Sequence, residues 1–351
     1  MRWFSLIVCL LAALPGAGEL AARTVTDLAG RRVEIPDTVR RVACLEVLCY
    51  PRMLMLGAED RVVTMVRTAA PWMTRTNPRV GEIPSFQGTP GRESILATGA
   101  DIAFVNVSYG ATLPALAEIG LPALVSQPVG RRPQTAEAFI AEAKAMVSLF
   151  GQVLGGEAEP RARAWCAYVD ERVRFVRDRV AAVLPEQRPK LYYVRGPTSL
   201  NTQGKGGYVT WVGEIAGARM VVNQSNIAGK GDTSMEDIVL WNPDIVIVGR
   251  QYPLELVRDD PRWKDIAAVR AGRVHSTPEG AFYWDGGPEQ ILLLQFLAKL
   301  LYPDLFADFD MAAEVRAYYA RFYRIVLSDD EAIRLLNGQS PDGSRFNPMN
   351  N

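Results

Sequence analysis

Basic and aromatic side chains follow several of the segments that the sequence predicts as strands. Tyr109, Arg195 and Arg250 each come shortly after an apolar run with β character. Ligands bind outside the carboxyl ends of the strands in open parallel sheets, so we expect these side chains to face a cleft. An arginine at such a position suits an anionic ligand. For Arg250, an ion pair with a nearby acid such as Asp259 is the alternative.

Other polar and aromatic residues lie in loops that the same cleft would use. The stretch from 68 to 91 is rich in Pro, Gly and aromatic residues, and loops of this composition often carry function. A glycine-rich turn covers 201–208, and the cluster Phe282-Tyr283-Trp284-Asp285 offers a dense aromatic surface for a flat ligand. Trp72 could instead cap a small core, and Trp284 could pack beneath its loop. The resulting candidates are Trp72, Arg75, Asn201, Tyr208, Tyr283 and Trp284.

The glycine-rich turn does not fit a phosphate-binding loop, because Lys205 has no Ser or Thr beside it. The chain contains one histidine, His275, so it cannot supply the cluster of ligands that a bare transition-metal ion needs. We therefore expect no metal site and no resident cofactor. A preformed metal chelate is the more consistent cargo. Tyr50 joins the candidates because tyrosine can ligate ferric haem iron.

One phrase of the sequence occurs twice. The segment 93–105, ESILATGADIAFV, returns as 236–248, EDIVLWNPDIVIV, so that Glu93 falls on Glu236. In each copy a short helical run is followed by a break and by an apolar run that suits a strand covered on both faces. The repeat predicts two related α/β lobes.

Composition and periodicity along the sequence predict five segments of the chain. An early charge, an apolar segment and small residues indicate a cleavable secretory signal peptide, with an uncleaved anchor as the alternative. The mature length of about 330 residues exceeds what one core usually serves. A periodic stretch without internal glycine predicts one long helix between the lobes. The predicted parts are a signal peptide at 1–22, an N-terminal lobe at 23–156, the helix at 157–184, a C-terminal lobe at 185–336 and a flexible tail at 337–351.

Composition excludes some partners. Lys+Arg and Asp+Glu are both 39, so bulk charge attracts neither nucleic acid nor a membrane surface. Without the signal peptide the cysteines are Cys44, Cys49 and Cys166, an odd number that argues against a disulfide framework. A bridge between Cys44 and Cys49 stays open.

The order of elements from a hairpin at 25–36, through a core strand at 41–45 and a helix ending at Gly57, to the phrase at Glu93 resembles a known family. It is similar to the substrate-binding proteins of importers for iron-siderophores, haem and cobalamin, over residues 24–336. The resemblance implies a class III periplasmic binding protein, with two Rossmann-like α/β lobes and central parallel sheets joined by one long α-helix. It also implies that Glu93 and Glu236 dock to arginines of an ABC permease, which works with its ATPase.

The resemblance further implies a monomer that is not an enzyme and that captures a metal chelate in the periplasm. An iron-siderophore is the first expectation, and haem or a corrinoid is the alternative. Two other classes compete with this receptor. A two-lobed oxidoreductase would need cluster-ligating cysteines, for which the three mature cysteines have no suitable pattern. A haemophore would work without a permease. For Glu236, a capping box with Thr233 is a structural alternative to docking.

Overall fold

The computed structural model of the protein describes residues 22–68, 70–88, 90–106, 112–130 and 132–345. Within these ranges the chain forms two α/β lobes, each with a central parallel sheet, which confirms the predicted fold class. The predicted signal peptide lies outside the described residues except for Ala22, which begins the first strand. The described helices include none with the length and apolar character that a membrane crossing needs.

The N-terminal lobe begins with the predicted hairpin, β1 (Ala22–Thr26) and β2 (Arg32–Pro36). Its sheet has the parallel order β5-β4-β3-β6-β7. The central strands are buried on both faces, as their nearly continuous apolar sequence predicts. The strands of this sheet are β3 (Val42–Cys44), β4 (Val62–Val66), β5 (Ser85–Phe86), β6 (Ile102–Val105) and β7 (Ala123–Val125).

Helices cover both faces of this sheet. They are α1 (Cys49–Leu56), α2 (Pro71–Thr76), α3 (Arg92–Ala97), α4 (Thr112–Glu118) and α5 (Ala136–Leu154), with 3₁₀ turns at Glu59–Arg61 and Pro78–Glu82. Helix α1 ends where predicted, because Gly57 adopts the left-handed conformation with φ of 75°. The bridge that the sequence left open is formed, and the Cys44–Cys49 disulfide ties β3 to the start of α1.

Helix α6 (Ala158–Val180) connects the two lobes. Its 23 residues span about 35 Å at the usual rise, shorter than the predicted 157–184 because the chain turns after Val180. Its buried face comprises Ala158, Ala162, Trp165, Tyr168, Val169, Val173, Val176 and Val180. One continuous apolar cluster includes this face together with residues of both sheets.

The C-terminal lobe repeats the plan of the first. Its parallel sheet has the order β10-β8-β12-β13, and β9 and β11 form an antiparallel pair beside it. The two copies of the repeated phrase become α3 with β6 and α8 with β12. The strands are β8 (Lys190–Val194), β9 (Asn201–Gln203), β10 (Arg219–Met220), β11 (Lys230–Asp232), β12 (Ile245–Val248) and β13 (Val274–Ser276). The helices are α7 (Tyr208–Ile215), α8 (Met235–Trp241), α9 (Glu255–Arg258), α10 (Ala267–Arg270), α11 (Gln290–Leu301), α12 (Met311–Tyr318) and α13 (Asp329–Leu336). Short 3₁₀ turns lie at Pro185–Gln187, Val221–Gln224 and Pro261–Trp263, and a π-helical turn at Tyr319–Tyr323 follows α12.

The last described residues return to the N-terminal lobe. Arg75 of α2 forms an ion pair with Glu331 of α13 at 2.6 Å. The indole N–H of Trp72 donates to the backbone oxygen of Gln339 at 2.8 Å. Gln339 lies in the segment predicted as a flexible tail, and its backbone oxygen is the hydrogen-bond partner of a buried tryptophan. These non-covalent contacts connect the two lobes in addition to helix α6.

A buried ion pair lies at the carboxyl end of the N-terminal sheet. Arg52 and Glu46 are 3% and 1% exposed, and their side chains meet at 2.9 Å. Glu46 also accepts from the backbone N–H of Leu48 at 2.7 Å and from the hydroxyl of Ser126 at 3.0 Å. Burial lowers the pKa of Arg52, and Glu46 opposes that shift. Loss of either charge would leave the other desolvated without its partner.

We expect Glu46→Gln to lower the free energy of unfolding by about 3–5 kcal/mol, because it leaves the Arg52 charge buried and uncompensated. Urea unfolding measures this loss. The double variant Glu46→Gln/Arg52→Met should recover most of the stability, and Glu34→Gln, at an exposed position of β2, is the matched control. A loss no larger than that of the control would show that the pair does not require its negative partner.

Candidate functional site

The order of the strands reverses within each sheet, and each reversal marks a point where open parallel sheets bind ligands. In the C-terminal lobe the reversal lies between β8 and β12, where Val194 pairs with Val248. Arg195 follows β8 directly, and Arg250 follows β12 after Gly249. Both arginines are half-buried and line one cavity. Two of the predicted candidates are therefore brought together at the reversal.

The cavity lies between the lobes and has a volume of about 350 Å³. One wall comes from the loop that follows β7 and from α5 of the N-terminal lobe. The other comes from the loops after β8, β9 and β12 and from the start of α7. The lining residues are Pro128, Gly130, Arg132, Pro133 and Glu142 on the first wall, and Arg195, Gln203, Gly206, Gly207, Tyr208, Gly229, Lys230 and Arg250 on the second.

The charge of these walls is mostly positive. Among the described residues that line the cavity, the basic side chains are Arg132, Arg195, Lys230 and Arg250, whereas Glu142 is the acidic one. Burial raises the pKa of Glu142. In the described ranges, no group of three or more His, Cys, Asp or Glu side chains could hold a metal ion. A concave surface of this kind favours an anion.

Arg250 is held in place by its backbone and by a buried acid. Its φ of 54° is left-handed, and the preceding Gly249 is required because an added β-carbon would lie 1.9 Å from the hydroxyl of Tyr193. The Nε of Arg250 donates to Asp285 at 2.7 Å, and the hydroxyl of Tyr193 donates to the same carboxylate oxygen at 2.8 Å. The ion pair predicted as the alternative role of Arg250 therefore exists, but its acid is Asp285 and not Asp259.

The surroundings keep Arg250 charged. Burial alone would lower the pKa of Arg250, but Asp285 outweighs it and leaves that pKa above its ordinary value. The guanidinium carbon lies 5.4 Å from the centre of the Tyr283 ring, a cation–π contact. Burial raises the pKa of Tyr283 to about 12, so this phenol is neutral at physiological pH. Arg250 thus presents a fixed positive charge to the cavity.

Glu289 anchors the loop that carries Tyr283 and Asp285. Its carboxylate accepts from the backbone N–H of Phe282 at 2.8 Å and from the hydroxyl of Tyr319 at 2.5 Å. Glu289 is fully buried, and this burial raises its pKa to about 7. The position of Arg250 therefore rests on a carboxyl group that titrates near neutrality.

Several predicted candidates lie away from the cavity. Tyr50, Trp72 and Trp284 are 2%, 0% and 1% exposed, so they belong to the core in this structure. Arg75 is engaged with Glu331, and Asn201 donates to Asp232 at 2.8 Å across the β9–β11 pair. Tyr208 lines the cavity with an exposed ring, and Tyr283 lies beneath Arg250. Tyr109 lies outside the described residues.

Sequence reasoning missed the other basic residues of the cavity. Arg132 lies shortly after the carboxyl end of β7, in a part of the sequence that contains Pro and Gly. That position after a parallel strand was the signal that could have identified it. Lys230 begins β11, whose pairing with β9 brings it to the cavity, and a local pattern does not reveal this pairing.

The two repeated glutamates lie exposed in the first turns of α3 and α8. The capping box suggested for Glu236 is wrong. Ser234 is the N-cap, its hydroxyl accepts from the backbone N–H of Asp237 at 3.0 Å, and Asp237 accepts from the backbone N–H of Ser234 at 3.3 Å. Thr233 donates to Asp237 instead. Glu236 is thus free of a capping role, as Glu93 is.

Two α/β lobes, a connecting helix and a polar cavity between the lobes define a two-lobed solute-binding protein. The chain belongs to the periplasmic binding protein family, whose model matches residues 91–281. This membership confirms the resemblance to class III periplasmic binding proteins that the sequence indicated.

Individual relatives cover nearly the whole chain. The molybdate-binding protein MolA of Haemophilus influenzae is 28% identical over 94% of this chain and 98% of its own length. The solved structure of MolA bound to molybdate has a TM-score of 0.78 and 25% identity, and covers 87% of this chain and 99% of that chain. A periplasmic solute binding protein from Veillonella parvula has a TM-score of 0.78 at 20% identity, over 93% of this chain and all of its own. CeuE of Helicobacter pylori in a Ni-His complex has a TM-score of 0.73 at 19% identity, over 89% and 99% of the two chains.

We expect the stability of the protein to fall as the pH rises from 4.5 to about 7, because folded Glu289 keeps a proton that the unfolded chain has released in this window. The loss attributable to Glu289 is about 3 kcal/mol. Urea unfolding of the wild type and of Glu289→Gln across this range measures it, since the variant lacks the titration. Glu186→Gln, at an exposed position, is the control. Parallel stability curves for wild type and Glu289→Gln would contradict the expectation.

Proposed function

We propose that this protein is the substrate-binding component of an ABC importer and that it captures an anionic, metal-containing cargo between its lobes. The signal peptide predicted at 1–22 would direct it to the periplasm. The observation that carries the proposal is the convergence of Arg132, Arg195, Lys230 and Arg250 on one interlobe cavity. Fixed cations in a recessed site both attract an anion and bind its oxygens through charge-assisted hydrogen bonds.

The first candidate cargo is a tetrahedral metal oxyanion such as molybdate. MolA is a molybdate-binding protein and is similar to this chain over almost its entire length, which supports this candidate. The chemistry of the cavity also supports it. Arginine and lysine side chains donate hydrogen bonds and supply the positive charge that a dianion needs. The scarcity of acidic residues among the described lining agrees with a dianion and not with a free cation.

The second candidate is an anionic metal chelate, with an iron-siderophore first and haem or a corrinoid as alternatives. The specific observation in its favour is the exposed ring of Tyr208 beside the prolines Pro128 and Pro133 in the cavity wall. A bare oxyanion gains nothing from such apolar surface, whereas an organic ligand packs well against it. Both candidates require the same arginines. They differ in the ligand, so a panel of ligands separates them.

The test is the affinity of purified mature protein for molybdate, sulfate, phosphate, a ferric catecholate, haem and cobalamin, measured by isothermal titration calorimetry. We expect Arg195→Met to weaken binding of the preferred anion about ten- to a hundredfold, because one charge-assisted hydrogen bond contributes about 1.5–3 kcal/mol. Arg195 is chosen because Arg250 also neutralises buried Asp285. The control is Arg270→Met, which removes an exposed arginine outside the cavity.

The panel separates the alternatives. Tight binding of molybdate over sulfate and phosphate supports the first candidate, and binding of a ferric chelate supports the second. Equal effects of Arg195→Met and Arg270→Met would show that the cavity is not the binding site. No binding to any of the probes would overturn the proposed cargo class.

The partner of the loaded protein is an ABC permease with its ATPase, and we propose that Glu93 and Glu236 contact the permease. Both glutamates are exposed, occupy equivalent positions on α3 and α8, and have no capping role. Charged residues at the rim of an interface set the orientation and the rate of encounter. Two acidic points, one on each lobe, would let the permease engage both lobes together.

We expect Glu93→Lys/Glu236→Lys to reduce uptake of the cargo by cells at least about tenfold, because like charges placed across an interface repel strongly. Cargo affinity of the purified double variant should equal that of the wild type. The matched control is Glu34→Lys/Glu255→Lys, which reverses two exposed glutamates elsewhere on the lobes. Unchanged uptake by the Glu93/Glu236 variant would remove these residues from the docking surface.

A further inference from the structure

Three exposed apolar side chains lie on the two helices that contain the sequence repeat. Leu96 of α3 is 54% exposed, and Val239 and Leu240 of α8 are 58% and 78% exposed. These helices have only 6 and 7 residues, yet they carry three of the ten large apolar side chains that are exposed in the described part of the chain. Single exposed apolar residues are common, but their concentration on two short helices indicates a contact surface.

The exposed side chains follow the repeat and accompany the two repeated glutamates. The alignment that places Glu93 on Glu236 also places Leu96 on Val239, three residues further along each helix. Residues three or four apart lie on one face of a helix, so each glutamate shares its face with the apolar residue that follows it. We call the two sets, Glu93 with Leu96 and Glu236 with Val239 and Leu240, the outer stripes.

The opposite face of each helix is packed inside its lobe. Ile95 of α3 and Ile238 of α8, which are also equivalent in the repeat, are 4% and 0% exposed and belong to the apolar clusters of their lobes. This packing fixes the rotation of each helix about its own axis. The outer stripes are therefore held at the surface, where another molecule can cover them.

The charge of the outer stripes indicates the chemistry of that molecule. Glu93 and Glu236 form no ion pair with another residue in the ranges that the structure describes, and Arg92, next to Glu93, pairs with Glu118 instead. An anionic lipid surface would be repelled by both glutamates. A protein that presents a basic group beside apolar surface complements each stripe.

We propose that the permease buries Leu96 on one lobe and Val239 with Leu240 on the other, and that these apolar contacts keep the docked complex together while the glutamates orient it. The inference rests on the proposed function and deepens its account of docking to the permease. Apolar surface buried in a complex must return to water before the partners separate, so it slows dissociation. Charged groups at a rim mainly raise the rate of association. Binding kinetics can therefore separate the two contributions.

The probe is the permease with its ATPase in lipid nanodiscs, and biolayer interferometry follows binding of the purified mature protein. We expect Leu96→Gln/Val239→Gln/Leu240→Gln to dissociate at least about tenfold faster, with a nearly unchanged association rate. Glutamine is a good helix former, so the variant should keep the fold and the cargo affinity of the wild type. The matched control is Val326→Gln/Ile333→Gln, which changes exposed apolar side chains outside the outer stripes.

The glutamates should give the opposite kinetic pattern. We expect Glu93→Gln/Glu236→Gln to slow association about threefold or more at about 0.05 M salt and to have little effect at about 0.5 M, because salt screens charges at an exposed rim. The faster dissociation of the triple apolar variant should persist at both salt concentrations, because apolar burial does not depend on screening.

Each other result overturns a defined part of the assignment. Equal dissociation rates of the triple variant and its control would refute the apolar contacts, while slower association of the Glu93→Gln/Glu236→Gln variant would leave the proposed docking in place. No binding of the wild type to the permease would remove both. Equal binding to nanodiscs without the permease would assign the outer stripes to lipid. A wild-type dimer in sedimentation velocity that the triple variant dissociates would assign them to a second copy of the chain.

Discussion

The packing of helix α6 between the lobes is the constraint on which the rest of the structure depends. Trp165, Tyr168 and Val176 of its buried face belong to one apolar cluster that contains residues of both sheets. Each large apolar side chain buried in this way contributes about 1.5–3 kcal/mol. The indole N–H of Trp165 donates to the hydroxyl of Tyr318 at 3.1 Å, which adds the returning C-terminal helices to the same core. Both lobes are therefore fixed relative to one helix.

This shared core determines what the cleft can do. Because both sheets have their strand order reversed near the centre, their carboxyl ends can supply one cavity from two sides. The local strain at Arg250 and Gln251, both with positive φ, is tolerated because Asp285, Tyr193 and Glu289 fix the surrounding loop. The strained backbone lowers the stability of the fold, but it places the Arg250 charge in the cavity between the lobes.

The features that could be predicted from the sequence are those that depend on local patterns. The hairpin, the two copies of the repeated phrase and α6 were recognisable because periods of two and of 3.6 residues depend only on neighbours in the chain. Arg195 and Arg250 could be found because they follow parallel strands. Trp72 and Trp284 could not be assigned, because whether an aromatic residue faces a core or a cleft depends on tertiary packing. The composition at 337–345 is typical of a mobile tail, but a backbone oxygen accepting from Trp72 needs no particular side chain.

The two repeated glutamates, Glu93 and Glu236, are not explained by the fold alone. Helix α8 has a side-chain cap from Ser234, whereas the N-cap residue of α3 is Gly91, which has no side chain to provide one. Capping therefore cannot be the reason that both helices place a glutamate in the first turn. The helix dipole favours an acid at each position, but Asp237 already provides one in α8. What Glu93 and Glu236 share is exposure at equivalent positions of two lobes that α6 connects, and the proposed docking to a permease uses this arrangement.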